Sequence, residues 1–305
     1  MLKRFILYGI LLCSFYPVGL VAQTVMYKIE SLQKILKTAR EDNNKVNTLN
    51  ALGIQQCYSA NYTGALATGN TALLLAQKIK YKKGMADAWT NIGQSNQLMG
   101  NYAEGLKNFQ AAFKIYEEIN DKKSLSASYN NIGQIYSYYA NYPEAMKNHQ
   151  ASLKIREATK DREGIADSYY YIGGVYQDQS NYPDALKYQM DGLKIREEIG
   201  YKEGIALDYA AVGLTKRWQG NYAEALKYYG MAQKIHEETG FKQGLAALLL
   251  NTGYLCYFLS NYPEILKKYQ DASKIAAETG DKWAVMQSYY YWEFIITARP
   301  IIPKL

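Results

Sequence analysis

From residue 124 onward, apolar and aromatic side chains recur at steps of three and four: Leu125, Tyr129, Ile132, Ile135, Tyr136 and Tyr139. That spacing is the period of one helix face and predicts an amphipathic helix, helix A of the unit. Ala140-Asn141-Tyr142-Pro143-Glu144 breaks the pattern with a capping amide, a proline that only a first helical turn tolerates, and an acid suited to a helix's positive end. A second helix, helix B, follows with Ala145, Met146, His149, Leu153 and Ile155 near one side and is predicted to run to about Thr159. Lys160-Asp161-Arg162-Glu163 makes a short polar turn, and the next helix A is expected from Gly164.

This hairpin is written six times. Asn-Tyr recurs at Asn61, Asn101, Asn141, Asn181, Asn221 and Asn261, always 40 residues apart, and Gly53, Gly93, Gly133, Gly173, Gly213 and Gly253 keep the same step. Asn101 with Glu104, Asn141 with Glu144, Asn181 with Asp184, Asn221 with Glu224 and Asn261 with Glu264 have capping-box spacing. One hairpin buries too little apolar area to stand alone, so the repeats must stack and share a core. The expected fold is all-α: a right-handed solenoid of antiparallel helix pairs. Its repeats cover residues 44–83, 84–123, 124–163, 164–203, 204–243 and 244–283, with a flanking helix in 23–43 and another with a tail in 284–305.

Trp89, Ile92, Gly93, Tyr102, Gly105 and Phe109 fill a column pattern that Tyr129, Ile132, Gly133, Tyr136 and Ala145 fill again, as do Tyr169, Ile172, Gly173, Tyr176 and Ala185. This pattern resembles the tetratricopeptide repeat. The unit has 40 residues where that family has about 34, and Glu117, Glu157, Glu197 and Glu237 stand where the family closes with proline. In this it is similar to the long-helix arrays of kinesin light chain and of the Leu-Gly-Asn-repeat polarity adaptors. That resemblance implies an extended peptide or protein held along an inner groove lined by the A helices.

The predicted groove face carries amides and aromatics: Asn91, Gln94, Asn130, Asn131, Gln134, Tyr170, Tyr171, Gln177, Arg217 and Asn251. An amide offers one donor and one acceptor group, so a ladder of them suits the N–H and C=O groups of an extended chain. The resemblance gives this role to Asn91, Asn131 and Asn251 alone. The competing reading is that the amides bond between adjacent helices and the tyrosines fill space. Tyr170 and Tyr171 with Tyr138, Trp218 and Phe258 form an aromatic set also suited to sugar rings.

Charge and composition narrow the classes. The net charge of +7 is spread over the repeats without a basic run, which argues against nucleic acid. His149 and His236 are the only histidines and have no metal-ligand spacing around them, and the Glu117-Glu118, Glu197-Glu198 and Glu237-Glu238 pairs recur at one column of the repeat as solvated surface. No catalytic set, metal site or cofactor motif can be assembled, so a non-enzymatic scaffold is expected. Cys57 and Cys256, in the first and sixth repeats, are expected to be ordinary buried thiols.

Residues 1–22, with Lys3 and Arg4 before an apolar stretch, have the order of a secretory leader, so export to a periplasm or medium is expected. Uncut, the segment would instead be a membrane anchor. At the other end, Tyr289-Tyr290-Tyr291-Trp292 and Phe294-Ile295-Ile296 make a helix apolar nearly all round. Such a helix either docks on a partner or a second copy, or leads into a longer signalling protein, such as a histidine kinase with these repeats as its ligand-sensing part.

Overall fold

A computed structural model describes residues 20–259, 261–279 and 282–298 of the chain. Fourteen helices and no strand occur among the described residues. Helix α1 (Leu20–Thr38) precedes six hairpins: α2 (Asn43–Tyr58) with α3 (Tyr62–Lys78), α4 (Lys82–Leu98) with α5 (Tyr102–Glu118), and α6 (Lys122–Tyr138) with α7 (Tyr142–Thr159). The others are α8 (Arg162–Asp178) with α9 (Tyr182–Ile199), α10 (Lys202–Trp218) with α11 (Tyr222–Thr239), and α12 (Lys242–Phe258) with α13 (Tyr262–Thr279), before α14 (Lys282–Ala298). The leader-like residues 1–19 and the tail 299–305 lie outside the described residues, as do the side chains of Trp292, Phe294, Ile295 and Ile296.

The A helices begin two residues before the predicted Gly164 and its equivalents, or one before in the first repeat, where α2 starts at Asn43. Asp161 is the reason: its carboxylate accepts from the Gly164 amide at 3.1 Å, as Asp121 accepts from Ser124 at 3.1 Å. At the other end of the hairpin, Asn61, Asn141 and Asn181 cap their B helices, accepting from Gly64, Glu144 and Asp184. Asn101 and Asn221 make no cap bond, and their amide nitrogens turn to Asn96 and Gln219 instead.

Between residues 60 and 240 the turns are closed by residues in the left-handed region, at every twentieth position: Ala60, Lys80, Gly100, Asn120, Ala140, Lys160, Ser180, Gly200, Gly220 and Gly240. The residue after nearly all of them reaches back five positions to a carbonyl of the ending helix, as Asn101 does to Asn96 (2.8 Å) and Asp161 to Arg156 (2.9 Å). This satisfies carbonyls that a helix end otherwise leaves open. The Asn of each Asn-Tyr therefore closes one helix through its backbone and stands at the cap of the next.

The glycine column has an equally direct cause. Sixteen residues after each glycine, helix B lays a side chain against the bare backbone of helix A. Phe109 lies on Gly93, His149 on Gly133, Gln189 on Gly173, Tyr229 on Gly213 and Tyr269 on Gly253, each so close that an added Cβ would lie within 3.0 Å of it. In the first repeat the pair is Gly53 with Gly69, and a Cβ on Gly53 would meet nothing nearer than 3.7 Å.

The described chain forms two compact units, residues 23–200 and residues 201 onward. In the first, one core gathers Val46, Leu49, Leu73, Ala76, Ala88 and Ile92, and another Phe109, Ile132 and Ile135. In the second, Ala206, Ala225, Tyr229, Leu248 and Leu255 form one core, and Leu249, Leu250, Ile265, Tyr269, Ala284 and Tyr291 another.

Candidate binding surface

In the unit of residues 23–200, neighbouring A helices leave a cleft of about 390 Å³ between them. Asn47, Asn50, Ala51 and Ile54 of α2 form one wall; Lys83, Asp87, Thr90 and Asn91 of α4 form the other, with Tyr81 and Tyr116 at the end. The spacings of three and four within each wall put these side chains on one helix face. Asp87 accepts from the Tyr116 hydroxyl at 2.7 Å, and Lys83 lies 3.6 Å from Asp87 and 2.7 Å from Asp121. Burial, reinforced by the Asp87 carboxylate, pushes the Tyr116 phenol far above its ordinary value. For Lys83, burial opposes the charge, but Asp121 and Asp87 outweigh it and hold the amine above its ordinary value.

The predicted amides divide. Asn91 lies at the cleft but is 4% exposed, and its Nδ2 donates to the Asn50 carbonyl of the neighbouring A helix at 3.0 Å. Asn130 is 2% exposed, and its Oδ1 stands 3.0 Å from Nδ1 of His149. The Asn91 amide and the Asn130 oxygen are thus occupied in joining helices, whereas Nδ2 of Asn130 is enclosed without a partner. Gln94, Asn131 and Gln134 are half-buried, and Gln134 accepts from Gln97 of the preceding A helix at 3.3 Å. Tyr170 and Gln177 are buried. Tyr171 stacks on His149 with centroids 5.2 Å apart, and Tyr138 stacks on Tyr102 at 4.7 Å. Tyr138, Tyr170 and Tyr171 thus pack within this unit.

His149 is wholly buried between these groups. Desolvation, with the Arg156 charge adding to it, holds its pKa down to about 3. The guanidinium of Arg156 and that of Arg196 both meet the carboxylate of Asp167.

In the unit from residue 201, Arg217 is buried, with its guanidinium over Trp218 and Tyr254. Asn251 is half-buried and donates to the Ala247 carbonyl of its own helix at 3.1 Å. Trp218 and Phe258 are partly exposed, and Phe258 stacks on Tyr222 at 5.0 Å. On α14, Met286, Tyr289 and Tyr290 are exposed, whereas Tyr291 stacks on Tyr269 at 5.4 Å.

The sequence reading passed over Asn47, Lys83, Asp87 and Tyr116. A signal for one of them was present: at the 40-residue step the column runs Tyr116, Arg156, Arg196 and His236, a polar series in a buried position. Asp87 and Asp167, two repeats apart, supply the acids for its first members.

Among the described residues no cluster of three metal-ligating side chains occurs and no helix is long and apolar enough to cross a membrane. Stacked helical hairpins with a polar cleft between A helices define a repeat protein of the α-solenoid class. The chain belongs to the tetratricopeptide repeat family: profiles of that repeat match residues 84–158, 165–199 and 203–278. No curated protein sequence matches significantly.

Solved structures share the fold at low identity. A Rap protein complexed with Competence and Sporulation Factor superposes with a TM-score of 0.62 at 16% identity, covering 87% of this chain and 80% of that one. The apo quorum sensor NprR from B. thuringiensis gives 0.58 at 16% identity, covering 90% and 82%. A putative kinesin light chain of P. anserina with nearly identical repeats gives 0.50 at 13% identity, covering 66% and 99%.

Proposed function

We propose that this protein is a non-catalytic scaffold that holds an extended peptide or a segment of a partner protein against the faces of its A helices. The observation that carries the reading is the cleft between α2 and α4, where Asn47, Lys83, Asp87 and Thr90 offer donors and acceptors beside the apolar Ala51 and Ile54. That mixture suits a peptide, whose backbone needs polar partners and whose side chains need apolar contact. Membership of a repeat family typically used for binding agrees with it, as does the fold shared with Rap, solved with a bound factor, and with the sensor NprR.

The test is capture from a cell-envelope extract by the full chain, run beside an Asn47→Ala/Lys83→Ala variant and an Asn91→Ala variant. Loss of about 1 to 3 kcal/mol of affinity in the first, at unchanged melting temperature, places the ligand in the cleft. Equal capture by wild type and the double variant removes it from there. Asn91→Ala also breaks a bond between helices, so it is read together with its stability. The same reading has the protein exported on the strength of its leader-like residues 1–22. Mass spectrometry of the N-terminus of protein recovered outside the cytoplasm checks this, and recovery only in the cytoplasm rejects it.

A further inference from the structure

In the hairpins, one face of helix A is covered by its own helix B, and the columns of that face can be named. Ala86 packs with Ala112 and Tyr116, the Thr90 hydroxyl lies 3.3 Å from that of Tyr116, and Asn130 meets His149. Tyr169 and Tyr209 meet Tyr188 and Tyr228 of their own B helices. Helix α14 continues these columns at the 40-residue step with Met286, Tyr290 and Tyr289. Val46, Ala86, Ser126, Ala166, Ala206 and Ala246 are all buried, whereas Met286 is 60% exposed, Tyr290 57% and Tyr289 65%. Helix α14 is therefore an A helix with its B face open, and among the described residues no helix covers it.

Helix α1 is the converse. Its Lys34-Ile35 stands whole repeats before Lys114-Ile115 and Lys154-Ile155, and Gln33-Lys34-Ile35 is repeated as Gln233-Lys234-Ile235. Leu36 packs against the core of Val46 and Leu49, as a helix B packs on the following helix A. The face that a preceding helix A would cover carries Lys28, Ile29, Leu32 and Ile35. In the hairpins the column of Ile35 is buried or half-buried, and its Ile115 packs against Ala86 and Ala112, yet Ile35 is 51% exposed. Ile29 and Leu32 are half-buried, and only Val25, near the start of the helix, is buried on this side.

The end of a solenoid ordinarily turns a polar face to water. Here the first described helix is a B helix without its A, the last is an A helix without its B, and both open faces carry apolar side chains. We propose that α14 of one chain takes α1 of a second chain as its helix B, head to tail. The repeat sets Met286 against Leu32 and Ile35 of the second chain, as Ala86 is set against Ala112 and Ile115. Ile29 falls where Phe109, His149, Gln189, Tyr229 and Tyr269 press on glycine, and it is shorter than any of them, which suits a helix A that carries Glu293 in that column. A Cβ on Gly93 would also lie 3.3 Å from Asn108, so the same step brings the Glu293 carboxylate to Lys28, with the Tyr289 ring beside the amine. Glu293 and Lys28 are both exposed. The α1 face lies beyond residues 1–22, so removal of the leader-like segment leaves it in place. Because the two faces are unlike, each added chain leaves one of each open, and association builds rings or open chains rather than a two-fold pair.

The experiment follows the mass of the full chain by light scattering from about 1 to 100 µM. It runs beside Ile35→Glu, which blocks the α1 face, and Met286→Glu/Tyr290→Glu, which blocks the α14 face; all three positions are exposed. Wild type is expected to rise with concentration from one chain toward several. Each variant alone is expected to associate at least about 10-fold more weakly, because the contact offers the new carboxylate no partner. An equimolar mixture of the two variants is expected to form a complex of two chains and nothing larger, since one open α1 face and one open α14 face remain between them. A wild type that stays single overturns the proposal. So does association of wild-type strength in either variant alone, and so does a mixture that forms no two-chain complex or grows beyond it.

Discussion

His149 shows how much one buried ring can govern. It is neutral in the folded chain because burial, with Arg156 nearby, lowers its pKa to about 3, against about 6.5 when unfolded. Between those values the unfolded state binds the extra proton, so the ring's contribution is complete above pH 6.5 and is lost as pH falls. His236, lowered by burial to about 4, acts in the same direction. Stability is therefore expected to drop by about 2 kcal/mol from pH 6.5 to 4.5 on account of His149, measured by urea unfolding at each pH. His149→Gln, copying Gln189 of the next repeat, is expected to flatten that dependence. An unchanged profile would show that the ring is protonated or reached by water in the folded protein. The glycine column supplies a paired test at the same scale. Gly133→Ala drives a Cβ into the His149 ring and is expected to cost about 1 to 3 kcal/mol, whereas Gly53→Ala meets only ordinary contact and is expected to be neutral or mildly stabilising.

At the scale of the element, the helix pairs were legible because their apolar positions keep one period and Asn-Tyr marks each joint. Thr159 is indeed the last residue of α7. The start of each A helix was less legible, since the cap is Asp121 or Asp161 in some repeats and Tyr81, Tyr201 or Phe241 in others. The left-handed residues were not legible at all. Glycine announces that conformation, yet Ala60, Lys80, Asn120, Ala140, Lys160 and Ser180 adopt it because the backbone bond across the turn holds them there. L residues are strained in that region. Lys160→Gly and Ala140→Gly are each expected to add about 0.5 to 1 kcal/mol, read as a shift in the denaturation midpoint at constant slope. No gain would mean that the turns relax elsewhere.

At the scale of the molecule, a Glu near the end of helix B meets a cation 36 residues earlier in several repeats: Glu118 with Lys82, Glu198 with Arg162, Glu238 with Lys202 and Glu278 with Lys242. These pairs run from the end of helix B to the start of helix A in one hairpin, and both members are exposed. Exposed pairs contribute little and are screened by salt. Raising sodium chloride from about 0.05 to 0.5 M is expected to shift the melting temperature by less than about 3 °C, because the stability lies in the stacked apolar faces. A larger drop would assign the pairs a structural role. The candidate site was harder to read than the architecture for a physical reason. A periodic sequence shows which face a side chain occupies but not whether its polar atoms are already spent: the Asn91 amide proved to be spent on the neighbouring A helix and the Asn130 oxygen on His149, while the Asn130 amide nitrogen proved not to be.

The even spacing of the turns has a genetic consequence. With one left-handed residue every 20 positions and two unlike helices per hairpin, a coding segment for 40 residues can be copied or lost while every remaining joint keeps its partner. A 20-residue change would set two helices of the same kind side by side, and any other length would push a turn residue into a helix. The chain can thus lengthen by unequal exchange between its own repeats, but only in whole hairpins.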